Sequence, residues 1–258
     1  MSTAAGEVVL EARGLRKHYG PVVAAAGMDL EIRRGEVMAL VGDNGAGKST
    51  LVKMLSGAIR PDAGEIVHRG RAIQLHGPHD ARERGIETTY QDLALAPNRD
   101  VIANLYLGRE IVRGGLLKPL GILDRREMTR RATDQLSRLG VRLPALTGTP
   151  VGRMSGGQQQ GVAVARAASW ATDVLFMDEP TAALGVRQSE AVLQVARRIA
   201  QSGVGVVLIT HIMPHVMEVA DRVVVLRHGR KVADMTAAEL RQDRLIALMA
   251  GYEEGEAA

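Results

Sequence analysis

The sequence contains no cysteine and has few aromatic residues. Its 258 residues include one Trp, one Phe and four Tyr. Without cysteine there is no disulfide, no thiolate metal site and no catalytic thiol. The core must therefore be built from aliphatic side chains and methionine, and the scarcity of aromatic rings argues against a surface that stacks nucleic-acid bases.

Long apolar runs are also missing, and charge of neither sign dominates. No stretch approaches the roughly 18 apolar residues of a membrane span, and the opening MSTAAGEVVLEARG lacks the basic region and apolar run of a signal peptide. Against 29 Asp and Glu stand 33 Lys and Arg, a net charge of +4. This mild excess fits nucleic acid, an anionic membrane surface, a phosphate ligand or a solvated mixed surface. We expect a soluble chain, or one held at a membrane by a partner.

The order of apolar segments predicts one α/β domain with a helical insertion. Alternation around Val8 and again around Leu30 predicts an antiparallel pair of strands, with a turn at Gly20-Pro21. The apolar run Val37–Val41 predicts a strand buried on both faces, followed by a helix from Lys48 to about residue 56. Short strands are predicted at 66–68, 73–75 and 85–89.

From about Asp92 to Gly140, helical spacing broken by Gly and Pro predicts the insertion, which closes with a helix after Ser155. Strands and helices then alternate from Asp173 onward, which predicts a mostly parallel sheet with helices on both faces. The last predicted helix runs from near residue 236 to 250 and precedes an acidic tail.

A glycine-rich segment between the buried strand and its helix has the spacing of a phosphate-binding loop, G-x-x-x-x-G-K-S. Its glycines let backbone N–H groups approach phosphates closely, and the helix start adds a positive dipole end. Lys48 is expected to neutralise the β- and γ-phosphates, and Ser49 to bind Mg²⁺. The whole segment is Gly42, Asp43, Asn44, Gly45, Ala46, Gly47, Lys48, Ser49 and Thr50.

Two carboxylates, Asp178 and Glu179, end the apolar strand VLFMD, at the edge where open parallel sheets bind ligands. Phosphoryl transfer to water needs one carboxylate in the Mg²⁺ shell and another that orients or deprotonates the attacking water. We expect Asp178 in the first role and Glu179 in the second. His211 follows the strand VVLIT and is expected to hydrogen-bond the γ-phosphate or the water.

Among phosphate-loop proteins, the segment Met154-Ser155-Gly156-Gly157-Gln158 resembles the LSGGQ signature of ABC-type ATPases, with Met in place of Leu. The resemblance implies that Tyr19 stacks on adenine and that Gln91 contacts Mg²⁺, acts in catalysis and senses a permease. It also implies that Ser155, Gly156, Gly157 and Gln158 contact the γ-phosphate of a second copy. A hydroxyl and flexible backbone before a helix make an anion site that one subunit alone does not need.

The resemblance implies a phosphate-loop, RecA-like parallel sheet core with an N-terminal antiparallel β subdomain and an inserted α-helical subdomain. The whole chain, 1–258, would be a single ABC ATPase domain. The core would span about 1–91 and 166–258, and the helical subdomain about 92–165. Two chains arranged head to tail would form two composite sites for ATP and Mg²⁺.

Several phrases, including GDNGAGKST, GIETTYQDLAL and NLYLGRE, resemble bacterial carbohydrate-import cassettes of the ribose, xylose and fructose branch, most closely the fructose importers. The implied partners are membrane permease subunits and, indirectly, a periplasmic sugar-binding protein, with the chain at the cytoplasmic face of the inner membrane. Thr181–Gly185 has glycine where many ABC proteins carry an aspartate. Met154, Gln159 and Ile212-Met213 also depart from the branch.

Two other functions remain open at this point. One is an ABC-type ATPase that acts on nucleic acid or the ribosome without a membrane partner, although the chain has one cassette, a modest insertion and no lysine-rich arm. The other is a regulatory subunit that binds nucleotide without hydrolysis, which would lack Lys48, Glu179 or His211. All three are present, so nucleic acid is not an expected partner and ATP hydrolysis is the expected activity.

Overall fold

The computed structural model describes residues 6–90, 92–114, 121–141, 143, 145–182 and 184–251, and these form two sheets with flanking helices. The strands are β1 Val8–Tyr19, β2 Val22–Arg33, β3 Val37–Val41, β4 Ala63–His68, β5 Arg71–Ile73, β6 Ile86–Thr89, β7 Val174–Asp178, β8 Gly205–Ile209, β9 Arg222–Arg227 and β10 Arg230–Thr236. The helices are α1 Lys48–Leu55, α2 Pro78–Glu83, α3 Val101–Leu105, α4 Arg125–Leu139, α5 Gly156–Trp170, α6 Val186–Gln201, α7 Met213–Val219 and α8 Gln242–Ala250.

The antiparallel sheet has the strand order β2-β1-β4-β5. Leu10 pairs with Ile32 and Ala12 pairs with Leu30, as expected when apolar residues on both strands point to one buried face. That face packs on α1 and on the central sheet. The core between them contains Leu15, Met54 and other apolar side chains.

The central sheet has the order β10-β9-β3-β8-β7-β6, and its neighbours run parallel except for the β9–β10 hairpin. Every residue of β3 and β8 is buried. Helices or the antiparallel sheet cover both faces of these strands, which explains why they read as continuous apolar runs rather than as alternating ones. The predicted α/β class, with an added antiparallel sheet and helices, is confirmed.

The helices α3, α4 and α5 pack on one another, and we call them the helical cluster. Ile102, Met128 and Val162, one from each helix, lie in its shared core. Asp124 caps α4 by accepting a hydrogen bond from the Glu127 N–H, and the helix ends at a left-handed Gly140. The cluster thus has a core separate from that of the sheets.

Four parts of the secondary structure differ from the sequence-based prediction. Helix α2 and strand β10 were not predicted, because α2 has six residues and β10 is a mostly exposed edge strand without apolar alternation. The last helix begins at Gln242, because Thr236 instead starts a 3-10 turn and donates backbone and hydroxyl hydrogen bonds to the Glu239 carboxylate. The strand expected at 73–75 lies at Arg71–Ile73.

A helix that crosses a membrane must be both long and apolar. Among the residues that the structure describes, no helix is both long enough and apolar enough to cross a bilayer. The acidic tail at 252–258 lies outside the described residues.

Candidate functional site

The sheet order brings the predicted site residues to one edge. β3 leads into the glycine-rich loop, its neighbour β8 leads to His211, and the next strand β7 ends at Asp178 and Glu179. Because these strands are parallel, their carboxyl ends share an edge of the sheet, where open α/β sheets place their ligands. Gln91, which follows β6, lies outside the described residues.

The loop holds its shape through close contacts with neighbouring backbone. A Cβ on Gly42 would lie 2.2 Å from the Leu226 carbonyl oxygen, and one on Gly47 would lie 2.5 Å from the Ala24 carbonyl oxygen. A Cβ on Gly45 would meet no atom of the described residues within 4 Å, although its φ of +84° also favours glycine. Two glycines therefore serve packing, and Gly45 faces the open space that a ligand would enter.

Lys48 lies at the start of α1 and turns back over the loop. Its Nζ donates hydrogen bonds to the carbonyl oxygens of Gly42, at 2.5 Å, and Asp43, at 3.0 Å. Burial lowers the pKa of Lys48 below its ordinary value, and the charges of Glu179, Asp178 and Asp43 oppose that shift. The ammonium group therefore lies in the field of the two strand-end carboxylates. The neighbouring Ser49 is exposed.

Glu179 has an unusual backbone for a residue that is not glycine, with φ at +48°. Such strain persists where the surroundings hold it, and here the Glu179 N–H donates to the Ile209 carbonyl oxygen at 2.9 Å. Its Oε1 lies 2.8 Å from His211 Nδ1, while its buried Oε2 has no hydrogen-bond partner among the residues that the structure describes. One oxygen is thus oriented by the histidine, and the other is free for a reacting group.

The carboxylate of Asp178 is a candidate metal ligand, because it is desolvated beside Glu179. Burial raises its pKa, Glu179 raises it further, and Lys48 and Lys53 oppose the shift. A desolvated carboxylate beside a second one is stabilised by a cation, and oxygen donors suit Mg²⁺. The exposed Ser49 hydroxyl and the unpartnered Glu179 oxygen also fit a site that a nucleotide and a divalent cation complete.

Tyr19 ends β1, at a hairpin that packs beside the loop through Ala24 and Gly47. Its side chain is 47% exposed, next to the exposed Val22 and Val23. A ring and two apolar side chains open to solvent beside a phosphate-binding loop fit the predicted stacking on a flat base. That role stays a prediction.

The signature segment forms a capping box at the start of α5. The Ser155 hydroxyl accepts a hydrogen bond from the Gln158 N–H at 3.4 Å, and the Ser155 N–H donates to Gln158 Oε1 at 3.0 Å. Ser155 and Gly156 are exposed. Met154, which departs from the signature, lies in the core of the helical cluster, and its carbonyl accepts from Gln159 Nε2 at 2.9 Å. Both departures make structural contacts and leave the helix start open.

Gly157 also contacts the segment that follows Glu179. A Cβ on Gly157 would lie 2.7 Å from the Gln188 side chain, whose Oε1 accepts a hydrogen bond from the Gly185 N–H at 3.3 Å. Buried Thr181 lies in the same segment, with its hydroxyl 3.1 Å from His215 Nδ1. The contacts of Gly157 with Gln188 and of Thr181 with His215 were not predicted, because each joins residues that are far apart in sequence and share no motif.

A further carboxylate, which the sequence analysis missed, lies just before the other end of β7. The Asp173 side chain is fully buried, and Arg34, His68 and Arg69 all reach its oxygens at 2.6 to 2.7 Å. Burial alone would raise the pKa of Asp173, but hydrogen bonds from Arg69, His68 and Arg34 outweigh it and hold the pKa below its ordinary value. These four residues form what we call the Asp173 cluster, which ties the β4–β5 turn to the central sheet.

Comparison with known proteins supports this description. The sequence profile of the ABC transporter family matches residues 25–182. The chain is 46% identical to the fructose import ATP-binding protein FrcA of Rhizobium meliloti, over 97% of this chain and 96% of that protein. It is 40% identical to the xylose/arabinose import ATP-binding protein XylG of Sulfolobus acidocaldarius, over 96% of each chain.

Other relatives are longer. The chain is 42% identical to the ribose import ATP-binding protein RbsA 1 of Rubrobacter xylanophilus over 94% of its own length but only 47% of that protein. Among solved structures, the ADP conformation of the ATP-binding cassette MJ1267 has a TM-score of 0.78 at 23% identity and covers 95% of both chains. Dimeric MJ0796, bound to ADP and Pi, has a TM-score of 0.74 at 23% identity over 88% of this chain and 98% of that one.

Fold and site together define a phosphate-loop ATPase, with a phosphate-binding loop, a strained strand-end glutamate and a histidine on adjacent strands. The chain belongs to the ABC transporter family, as an ATP-binding cassette.

Proposed function

We propose that this chain is the ATP-hydrolysing subunit of an importer for a monosaccharide of the fructose, ribose and xylose class. The observation that carries the hydrolytic part is the Glu179 carboxylate, with one oxygen on His211 and the other buried and unpartnered beside Lys48. The sugar class is supported by similarity along the whole chain to relatives named for fructose and xylose or arabinose import.

ATP would bind with its phosphates over the loop that contains Gly45. Lys48 Nζ would leave the Gly42 and Asp43 carbonyl oxygens and move to the β- and γ-phosphates, which are stronger acceptors because they are charged. Backbone N–H groups and the start of α1 add further positive partial charge. We propose that Tyr19 contacts the adenine, because its exposed ring lies on the hairpin beside the loop.

Hydrolysis requires water to attack the γ-phosphorus in line with the leaving ADP oxygen. Glu179 Oε2 would accept the proton of that water, since none of the described residues hydrogen-bonds to it. A carboxylate only accepts, so His211 Nδ1–H donates to Oε1 and orients the base. When His211 is neutral, its Nε2 can only accept a hydrogen bond, for example from the attacking water. Nε2 can donate a hydrogen bond to phosphate only when His211 is protonated. Mg²⁺, held by Ser49, Asp178 and Gln91, would neutralise phosphate charge.

We propose that two copies associate head to tail on ATP. Ser155 and Gly156 form an exposed helix start, where the helix dipole places positive partial charge, and this chain already has its own phosphate-binding loop. A second phosphate site in one chain is useful when it meets the nucleotide of another chain, so each ATP would lie between the loop of one copy and the signature of its partner.

The remaining partners follow from the importer assignment. We propose that membrane permease subunits bind the cassette at the cytoplasmic face of the inner membrane, and that a periplasmic sugar-binding protein delivers the sugar to them. In this arrangement the sugar touches only those proteins, and the cassette supplies the free energy of ATP hydrolysis.

Hydrolysis and dimerisation can be tested together. ATP turnover by the purified chain is measured against protein concentration with Mg²⁺ present and absent, and the Glu179→Gln variant is sized with and without ATP. We expect turnover that rises more steeply than concentration and a variant that dimerises only with ATP. Linear turnover by a strict monomer would contradict the head-to-tail site.

The sugar is tested in cells that produce this protein. Uptake of labelled fructose, ribose and xylose is compared between the natural gene and a Lys48→Ala replacement. We expect uptake of one of the three to fall, because Lys48→Ala removes the phosphate-binding cation, while uptake of an unrelated amino acid stays unchanged. Unchanged uptake of all three sugars would refute the sugar assignment and leave the ATPase assignment intact.

A further inference from the structure

The helical cluster meets the central sheet beside a part-buried ion pair, near the end of α5 that lies farthest from Ser155. Glu87 belongs to the edge strand β6 and is only 6% exposed. Its Oε1 accepts a hydrogen bond of 2.5 Å from Arg109 Nη2, and the next cation, Arg82, lies 4.0 Å from Oε2. The sheet thus presents one buried carboxylate to the cluster, and Arg109 is its close partner.

Arg109 is held on its other side by an aromatic ring. Its guanidinium carbon lies 4.8 Å from the centre of the Trp170 ring, a distance at which cation and ring attract each other. Trp170 is the last residue of α5, its indole N–H donates to the Leu105 carbonyl oxygen at 2.9 Å, and its ring meets Tyr106 edge to face. Trp170 therefore links the ion pair to α5 directly and to α3 through Leu105.

A second arginine ties α5 to the segment that leaves β6. Arg166, one turn before Trp170, donates hydrogen bonds to the carbonyl oxygens of Leu93 at 3.0 Å and Ala94 at 2.8 Å. Burial lowers the pKa of Arg166, and the charge of Arg82 lowers it further. The half-buried guanidinium of Arg166 in this position keeps α5 next to the chain that follows Gln91.

We propose that Glu87 and Arg109 are positioning residues for ATP-driven closure of two copies of this chain. They fix one end of α5 to the sheet and thereby set where Ser155, at the other end, meets the nucleotide of the second copy. The inference rests on the proposed head-to-tail dimer. It concerns residues that lie in neither the phosphate-binding loop nor the signature.

Because α5 is long, a small change of its tilt at this ion pair would move Ser155 at its other end. The 15 residues of α5 extend about 22 Å, so a tilt of about 10° at Trp170 would move Ser155 by about 4 Å. That displacement exceeds the tolerance of a hydrogen bond, so a loosened pair would weaken the contact of the signature with phosphate. Burial also raises the pKa of Glu87, and Arg109 opposes that shift, which indicates that Arg109 stabilises the charged carboxylate.

The test uses the Glu179→Gln chain as parent, because it should hold ATP without turnover. Glu87→Gln, Arg109→Met and both together are added, and Arg130→Met serves as a matched control that removes an exposed ion pair with Glu127 on α4. ADP affinity reports the phosphate-binding loop of a single chain. Sedimentation with ATP reports the dimer, and the emission of Trp170, the only tryptophan, reports the ion pair itself.

We expect each single variant to weaken the ATP dimer at least tenfold while ADP affinity stays within twofold. The double variant should match the worse single one, because the two residues act as a unit. Trp170 emission should shift in both single variants, and the control should match the parent in all three measurements.

Three results would overturn the proposal. A parent-like dimer in both single variants would show that the pair does not position the signature. An equal loss of ADP binding and of dimerisation would show that the pair only supports folding. If the parent itself fails to dimerise with ATP, the proposed head-to-tail site is refuted, and the positioning role is refuted with it.

Discussion

Strand β7 carries acidic residues at both ends, and their surroundings are opposite. Asp173, just before the strand, has hydrogen bonds from Arg34, His68 and Arg69, and its pKa is lowered. Asp178, at the other end, has a raised pKa, and one oxygen of Glu179 has no hydrogen-bond partner within the described part of the chain. A carboxylate whose hydrogen bonds are all made inside the protein stabilises the fold, whereas one left incomplete is available to a ligand.

The largest expected effect is on catalysis at the end of β7 that carries Asp178 and Glu179. Glu179→Gln removes the proton acceptor but keeps the shape of the side chain, so ATP turnover should fall about 100- to 10,000-fold. The free energy of unfolding should stay the same or rise, because the variant no longer buries an unpaired carboxylate oxygen. Turnover assays and urea unfolding check both parts, and wild-type turnover in the variant would remove Glu179 from the role of base.

The next largest expected effect is on the free energy of unfolding, at the end of β7 that carries Asp173. Asp173→Asn leaves Arg34, His68 and Arg69 without their carboxylate, and it should lower the free energy of unfolding by about 3 kcal/mol, the low end for a broken buried pair because two partners are partly hydrated. Turnover per folded molecule should stay near that of the wild type. An unchanged urea midpoint would show that the Asp173 cluster does not support the fold.

Replacing the two arginines of the Asp173 cluster one at a time should lower the free energy of unfolding by different amounts. Arg34→Met should lower the free energy of unfolding by about 1–2 kcal/mol, since a charge-assisted hydrogen bond to a buried carboxylate is lost. Arg69→Met should have a smaller effect, because the Arg69 side chain is 58% exposed and water competes for its contacts. Urea unfolding of both variants checks this order, and a larger loss for Arg69→Met would contradict the link between burial and stability.

The smallest effect should appear in the pH dependence of stability. The lowered pKa of Asp173 gives stability above the unfolded pKa, about 3.9, and this is lost as pH falls through the folded pKa. The raised pKa of Asp178 acts oppositely, so its charged form costs stability at neutral pH and acid relieves that cost. The contribution of each carboxylate to the free energy of unfolding changes by at most about 1.4 kcal/mol per pH unit.

The check is urea unfolding of the wild type, Asp173→Asn and Asp178→Asn from pH 7 to pH 3. At neutral pH the Asp173→Asn chain should be less stable than the wild type and the Asp178→Asn chain more stable. Both differences should shrink toward pH 3. Two differences of the same sign at neutral pH would contradict the contrast between the ends of β7.

The sequence was sufficient where a site consists of neighbouring residues on known elements. The glycine-rich loop could be predicted because its spacing and the flanking apolar run occur together, and Asp178, Glu179 and His211 because they follow buried strands. The boundaries of the helical subdomain and the roles of the site residues stay predictions. For Gln91 the structure describes no geometry.

The sequence was insufficient where contacts join distant parts of the chain. Asp173 meets Arg34 and Arg69 across more than 100 residues, and Glu87 meets Arg109 across a strand, a loop and a helix. No spacing rule links such pairs. The positive φ of Glu179 was equally hidden, because surrounding contacts and not residue type impose it.

The fit of Gly42 and Gly47 against backbone carbonyls has a thermodynamic consequence. The Leu226 and Ala24 carbonyl oxygens fix the curve of the loop from outside, before any nucleotide arrives. A preformed site spares the ligand the entropy of ordering the backbone around it. ATP binding to one chain should therefore be favoured by enthalpy and bring little change in heat capacity, and the larger heat-capacity change should come when two chains bury their facing surfaces.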